Sequence, residues 1–298
     1  MDIPWEDVRL FLAVAETGSL SGAARKLRIG QPTVSRRLAA LEYSLGAALF
    51  RRSVDGASLT SAGERLLAPA RKMAEWAGEV GRAVESSDTS PRGLVRITAS
   101  PYLCFDFLAP FAAWLARTHP GLRLEVLSSV QYLDLNRGEA DLALRNRAPT
   151  QEGLKGVLSL EFENAVFVSK SLAAKLPREP RLADLPWIAW APPLDMLPPN
   201  PQLEELVPGF SPVFTSDNYL VQIAAAEAGL GAVVMTRSAH RFARPTSLVP
   251  LSISLGPFAR SSLHLVCAKS ALDIPRVRLV SELLVSELEK VGMGHSRP

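Results

Sequence analysis

Cysteine is scarce in this chain: Cys104 and Cys267 are the two it has among 298 residues. They stand far apart with no CxxC spacing, so neither a disulfide framework nor a zinc cluster is indicated, and reduced buried thiols are the plainer expectation. Long apolar runs are missing as well. No stretch approaches the ~18 residues of a membrane span, and the opening MDIPWEDV is acidic where a secretory leader needs a basic start. A cytoplasmic protein without a membrane anchor is expected. The four histidines, His119, His240, His264 and His295, show no HxxxH or HExxH spacing. GxSxG, GxxxxGKS/T and SxxK motifs are absent, and Gly229-Leu230-Gly231 reads as a helix end entering a strand. No metal, cofactor or catalytic centre is expected. Nor is there a strong excess of one charge, the formal net charge being +3.

What is present is the composition of a folded chain, with 47% apolar and 21% charged residues, unlike the apolar-poor, charge-dense sequences of disorder. At roughly 150 residues per domain the length implies about two domains. The mild net charge is unevenly spread. From Leu20 to Thr60, Arg25, Lys26, Arg28, Arg36, Arg37, Arg51 and Arg52 oppose only Glu42 and Asp55, a local balance of +5, so the positive field sits on one short segment.

That segment is patterned. Val8, Phe11, Leu12 and Ala15 repeat as one face of a helix that Gly18 stops. Leu20, Ala23, Ala24 and Leu27 form a second, which Gly30 interrupts before Pro32 opens a third. At about 100° per residue, Val34, Leu38 and Leu41 make a narrow stripe opposite Pro32, Thr33, Ser35, Arg36, Ala39 and Ala40. Small side chains let the backbone approach another surface, and Gln31, Ser35 and Arg36 bring hydrogen-bonding groups. This suits a helix entering a major groove, where Arg reads guanine and Gln reads adenine. An ordinary amphipathic surface helix would carry the same stripe. The helix and turn before it, and the basic hairpin after it, favour the groove. The hairpin runs from Leu49 through Asp55-Gly56 to Thr60. Arg51 and Arg52 would meet phosphates or a minor groove, or else form a solvated charge pair; Arg37 is placed with the phosphate contacts.

SLSGAARKLRIGQPTVSRRLAALEYSLGAALFRR followed by LTSAGERLL resembles the LysR-type transcriptional regulators. The resemblance implies a winged helix-turn-helix over residues 1–60, a linker helix over 61–88 and an effector-binding domain over 92–298. It also implies double-stranded DNA as a partner and assembly as a homodimer or homotetramer, with RNA polymerase contact if the protein activates. Ser61 and Glu64 read as a capping box opening a helix to about Ser87. Leu66, Ala70, Met73, Ala77, Val80 and Val84 form a heptad-like seam on it for a second helix. The resemblance makes that helix the dimer's; packing on the chain's own second domain is the alternative. Pro69, Gly78 and Gly81 are expected to kink or loosen it. The polar run SSDTSPRG, 86–93, reads as a hinge.

Beyond it, strand-like and helical segments alternate, the pattern of a parallel α/β sheet. The resemblance implies two α/β lobes like those of type 2 periplasmic binding proteins, lobe one near 92–160 and 267–298 and lobe two near 161–266, with a small-molecule cleft between them. APPLDMLPPNPQLEELVPGFSP departs from the pattern, its prolines too dense for a regular strand-helix unit. Ligands of such sheets sit at strand carboxyl ends beside helix N-termini. Ser100 and Tyr102, flanking Pro101 after the first strand, are the leading candidates; a helix cap that binds nothing is the alternative. Ser128 and Ser129, Arg145, and Thr215, Ser216 and Asn218 follow, each equally readable as a turn residue. Arg145 points to an acidic effector, such as a carboxylate, with a surface salt bridge as the alternative. A sequence-specific regulator is therefore expected, against an architectural DNA binder whose second domain only oligomerises, or an enzyme with a DNA-binding head.

Overall fold

The computed structural model describes residues 3–53, 56–85, 91–237 and 240–293. Contacts divide the chain into two compact units, Met1–Ser87 with Asn136–Glu139, and Asp88–Leu135 with Ala140–Pro298.

In the first unit, α1 (Trp5–Thr17) ends at Gly18, whose φ of 63° lets its N–H reach Val14 O at 3.0 Å. Ser19 caps α2 (Leu20–Leu27), its hydroxyl accepting from Gly22 N. A tight turn through Arg28 and Gly30 then opens α3 (Gln31–Leu45), with Pro32 in its first turn. Strands β1 (Phe50–Ser53) and β2 (Gly56–Leu59) pair antiparallel as a wing. Two contacts fix the wing to the helices. Glu42 Oε1 accepts from the backbone of Leu49 and Phe50 at 2.7 and 3.1 Å, and Ala57 N donates to Gly18 O at 2.7 Å. The second approach needs glycine at 56, where a Cβ would stand 2.5 Å from Gly18 O.

Helix α4 (Ser61–Glu85) follows. Its cap differs from the expected box: Thr60 lies outside the helix and its Oγ1 accepts from Gly63 N, so Ser61 is already inside the first turn. The helix also runs unbroken through Pro69, Gly78 and Gly81. Pro69 and Arg65, whose carbonyl loses its intrahelical donor, both lie on the exposed side, where water can replace the bond. The expected hinge falls at 86–93, of which 86–90 lie outside the described residues.

The second unit begins with β3 (Gly93–Ala99), then α5 (Pro101–Leu103), a π-helical turn (Cys104–Leu108), α6 (Ala109–Thr118), β4 (Leu122–Ser128), β5 (Leu142–Arg145) and the long β6 (Leu154–Ser169). There follow α7 (Lys170–Ala173), β7 (Ile188–Trp190), α8 (Asn200–Leu206), β8 (Phe214–Ser216), α9 (Tyr219–Glu227), β9 (Val233–Arg237), β10 (Leu248–Pro250), β11 (Arg260–Ala268) and α10 (Pro275–Met293). The main sheet is mixed, not wholly parallel. β3 runs parallel to β4 and β5, whereas β11 is antiparallel to β5 and β6. From Glu163 onward β6 changes partners, taking β9 and then β10. One strand thus serves two lobes, with separate apolar cores around Phe111 and Leu265 and around Val168 and Trp187. The proline-rich stretch holds one regular element, α8, with Asn200 buried and bonded both ways to the Trp190 backbone. Among the described residues no helix is long and apolar enough to cross a membrane.

Candidate functional site

The two flanks of α3 stand in opposite surroundings. Val34 and Leu38 are fully buried and Leu41 is 2% exposed; burying three such side chains stabilises the docked helix by several kcal/mol, at ~1.5–3 each. Gln31, Pro32, Arg36, Ala39 and Ala40 are exposed, with Thr33 and Ser35 half-buried at the edge. The outer flank therefore offers a guanidinium, an amide and hydroxyls on a backbone that small residues leave approachable. Arg37 departs from the expectation of a free phosphate cation: Asp7 of α1 holds it, at 2.7 Å to Nε and 2.6 Å to Nη2. Arg51 is exposed on β1, while the Arg52 side chain and the turn at Val54 and Asp55 lie outside the described residues.

In the second unit, residues of both lobes line a cleft of about 720 Å³. The register of β3 with β5, Thr98 opposite Ala143, brings Arg145 level with Ser100. Arg145 is 8% exposed. Its guanidinium lies 4.7 Å over the Tyr132 ring, and its Nη2 donates to the Leu133 carbonyl. Burial lowers its pKa from the ordinary arginine value, outweighing Tyr132 and Asp134 nearby. No carboxylate among the described residues accepts a hydrogen bond from it. Tyr102 meets Tyr219 edge to face at 5.5 Å, and burial, with Tyr102 and Asp106 beside it, pushes the Tyr219 phenol far above its usual value. Asp106 accepts from His240 Nε2 at 2.9 Å. Where β6, β9 and β11 meet, Asn164 Oδ1 accepts from Ser261 Oγ at 3.1 Å and Thr236 Oγ1 at 3.3 Å.

Comparison with known proteins decides the family. Residues 5–64 match the bacterial regulatory helix-turn-helix protein, lysR family, and residues 88–289, more than half of the chain, match the LysR substrate binding domain. The chain belongs to the LysR family. An HTH-type transcriptional regulator of Xanthomonas campestris is 33% identical over 55% of this LysR chain, which spans about half of that relative's length, 48%. The Mau operon transcriptional activator of Paracoccus denitrificans is 30% identical over 78% of each chain. Among solved structures, full-length CbnR complexed with its target DNA aligns with a TM-score of 0.53 at 19% identity, covering 94% of this chain and 99% of that one, a likeness of fold.

Of the residues singled out in the LysR effector domain, Ser100, Tyr102, Ser129 and Arg145 line the cleft. Ser100 precedes the helix without a side-chain capping bond; only its carbonyl joins, accepting from Cys104 N at 3.0 Å. Ser129 also closes a local turn, accepting from Gln131 N at 3.0 Å. Ser128, Thr215, Ser216 and Asn218 are not among the lining residues. Ser128 lies beside the Cys104 thiol, which burial raises in pKa and Ser128 draws back down, Asn218 caps α9 through Leu220 N, Ser216 accepts from Asn218 N, and Thr215 is exposed on β8. Sequence reasoning missed Asp106, Tyr132, Trp190, Tyr219 and His240. Asp106 had a signal, since it stands four residues after Tyr102 on one helical face; His240 reaches the cleft only through tertiary folding.

Proposed function

We propose that this chain is a sequence-specific DNA-binding transcriptional regulator, governed by a small acidic effector held between the lobes of its C-terminal domain. The observation that carries the DNA reading is the division of α3, whose leucines are sealed in the core while Gln31, Pro32 and Arg36 stand in the open. Gln31, Pro32, Thr33, Ser35 and Arg36 are assigned to base edges, and Arg51 and Arg52 to the backbone or wing groove. Arg37 acts through Asp7, holding α3 against α1 while its half-exposed head remains near the same surface. The acidic effector is supported by Arg145, because a buried guanidinium that bonds, among the described residues, only to a neutral carbonyl gains most from an incoming carboxylate. Ser100, Tyr102 and Ser129 complete that wall. The relatives named above are regulators, which favours this reading over an enzyme carrying a DNA-binding head.

The test is competition binding on genomic fragments selected by the purified protein. Arg36→Ala is expected to weaken the selected site by about 1–3 kcal/mol while leaving non-specific duplex nearly unchanged. Equal loss on both would reassign Arg36 to a phosphate. No complex with any duplex at low salt would end the proposal.

A further inference from the structure

The cleft also carries a carboxylate, of opposite sign to Arg145. Asp106 is 16% exposed and lines the same cavity, and its one hydrogen-bond partner among the described residues is His240 Nε2. That ring is boxed in. It packs edge to face on Phe107 at 5.3 Å, and its Nδ1 is buried with no hydrogen-bond partner among the described residues. Nε2 is thus the ring nitrogen that meets the carboxylate. Asp106 thus presents a carboxylate to the cleft with Oδ2 engaged and, among the described residues, Oδ1 without a hydrogen bond.

The two charges lie within one ligand's reach. Arg145 is level with Ser100 on the neighbouring strand, a spacing of ~4.8 Å, and Asp106 follows Ser100 by six residues through α5 and into the π-helical turn, at no more than about 1.5 Å per residue. The backbones carrying the two charges are thus on the order of 10 Å apart. Aromatic side chains line the same cleft: Tyr132 under the guanidinium, the Tyr102–Tyr219 pair, and Trp190, whose Nε1 donates to Pro198 O at 3.0 Å.

We propose that the effector is an aromatic amino acid in the broad sense, a molecule with a carboxylate for Arg145, a cationic amine for Asp106 and a ring against the cleft's aromatic lining. This rests on the acidic-effector reading and narrows it, since an acid alone would leave the second Asp106 oxygen facing the ligand's apolar body. A zwitterion answers both charges without adding net charge to a half-closed site.

The experiment is calorimetric titration of the full-length protein with L-phenylalanine and para-aminomethylbenzoate. Each is compared with the same skeleton lacking the amine (phenylpropionate, para-toluate) and lacking the acid (phenethylamine, para-methylbenzylamine). At least one zwitterion should bind about thirtyfold or more tighter than both of its halves, the scale of a buried charge pair. Asp106→Asn should erase that advantage and leave the amine-free acids bound as before, which also shows that the variant is folded. If the amine-free acids match the zwitterions, and Arg145→Met abolishes them, the amino-acid proposal falls while the acidic-effector reading stands. If the amines bind best, or Arg145→Met changes nothing, both fall. If none of the six compounds binds, the aromatic amino-acid class is rejected.

Discussion

At the scale of single residues, the contacts that order the DNA-binding unit differ in kind from those that would touch DNA. Glu42 shows this most clearly: on the half-buried side of α3, one carboxylate oxygen satisfies the Leu49 and Phe50 amides where the chain turns into the wing. Glu42→Ala would strand both donors and is expected to destabilise the first unit by about 1–3 kcal/mol, read as a lowered thermal midpoint. Glu42→Gln, which retains an acceptor, should recover part of the loss; equal loss in both would mean that packing, not hydrogen bonding, sets the effect. Sequence alone marked the outward residues of α3 well, because an angular stripe of Val34, Leu38 and Leu41 defines its own opposite face. It could not foresee that Arg37 would find Asp7, thirty residues earlier, since nothing local joins the two.

At the scale of elements, α4 separates what a heptad count merges. Ala70 and Ala74 are 1% and 6% exposed inside the first unit's own core, with Leu66 and Leu67 packed beside them. Met73, Trp76 and Val80, by contrast, are 41%, 69% and 65% exposed. The seam expected along 66, 70, 73, 77, 80 and 84 therefore splits, and the outward apolar stripe runs through Trp76, which the heptad reading left out; the side chain of Val84 lies outside the described residues. Small residues face inward because α1 approaches closely there, and the large ones stay exposed. Assembly through this stripe predicts that Trp76→Glu halves the mass seen by sedimentation at micromolar protein while far-ultraviolet dichroism stays unchanged. An unaltered mass would place the dimer contact elsewhere.

At the scale of the whole molecule, the contacts that matter join distant parts of the chain. Arg241, just beyond β9, clamps Glu287 of α10 at 2.7 and 2.9 Å, and Lys290 adds 2.8 Å. Burial alone would raise the Glu287 pKa, but these hydrogen bonds hold it below its ordinary value of 4.5. A depressed carboxylate stabilises the fold above its unfolded pKa and loses that contribution as pH falls through its folded one. The melting-temperature gap between the natural protein and Glu287→Gln should thus be full at neutral pH and close below about pH 4.5; a constant gap would contradict this. The amino-acid sequence by itself determined the helix-turn-helix, the wing, the long helix after it and the alternation of strands and helices beyond, because each rests on local periodicity, capping and turn residues that need no distant partner, whereas the two-lobed plan came only through the family resemblance. Only the tertiary structure decided that the sheet is mixed, that Ser128 and Asn218 serve a thiol and a helix end away from the cleft, and that Asp106, His240 and Arg145 share one cavity. Those outcomes depend on strand order and loop-spanning contacts, which long-range packing selects and no local pattern encodes.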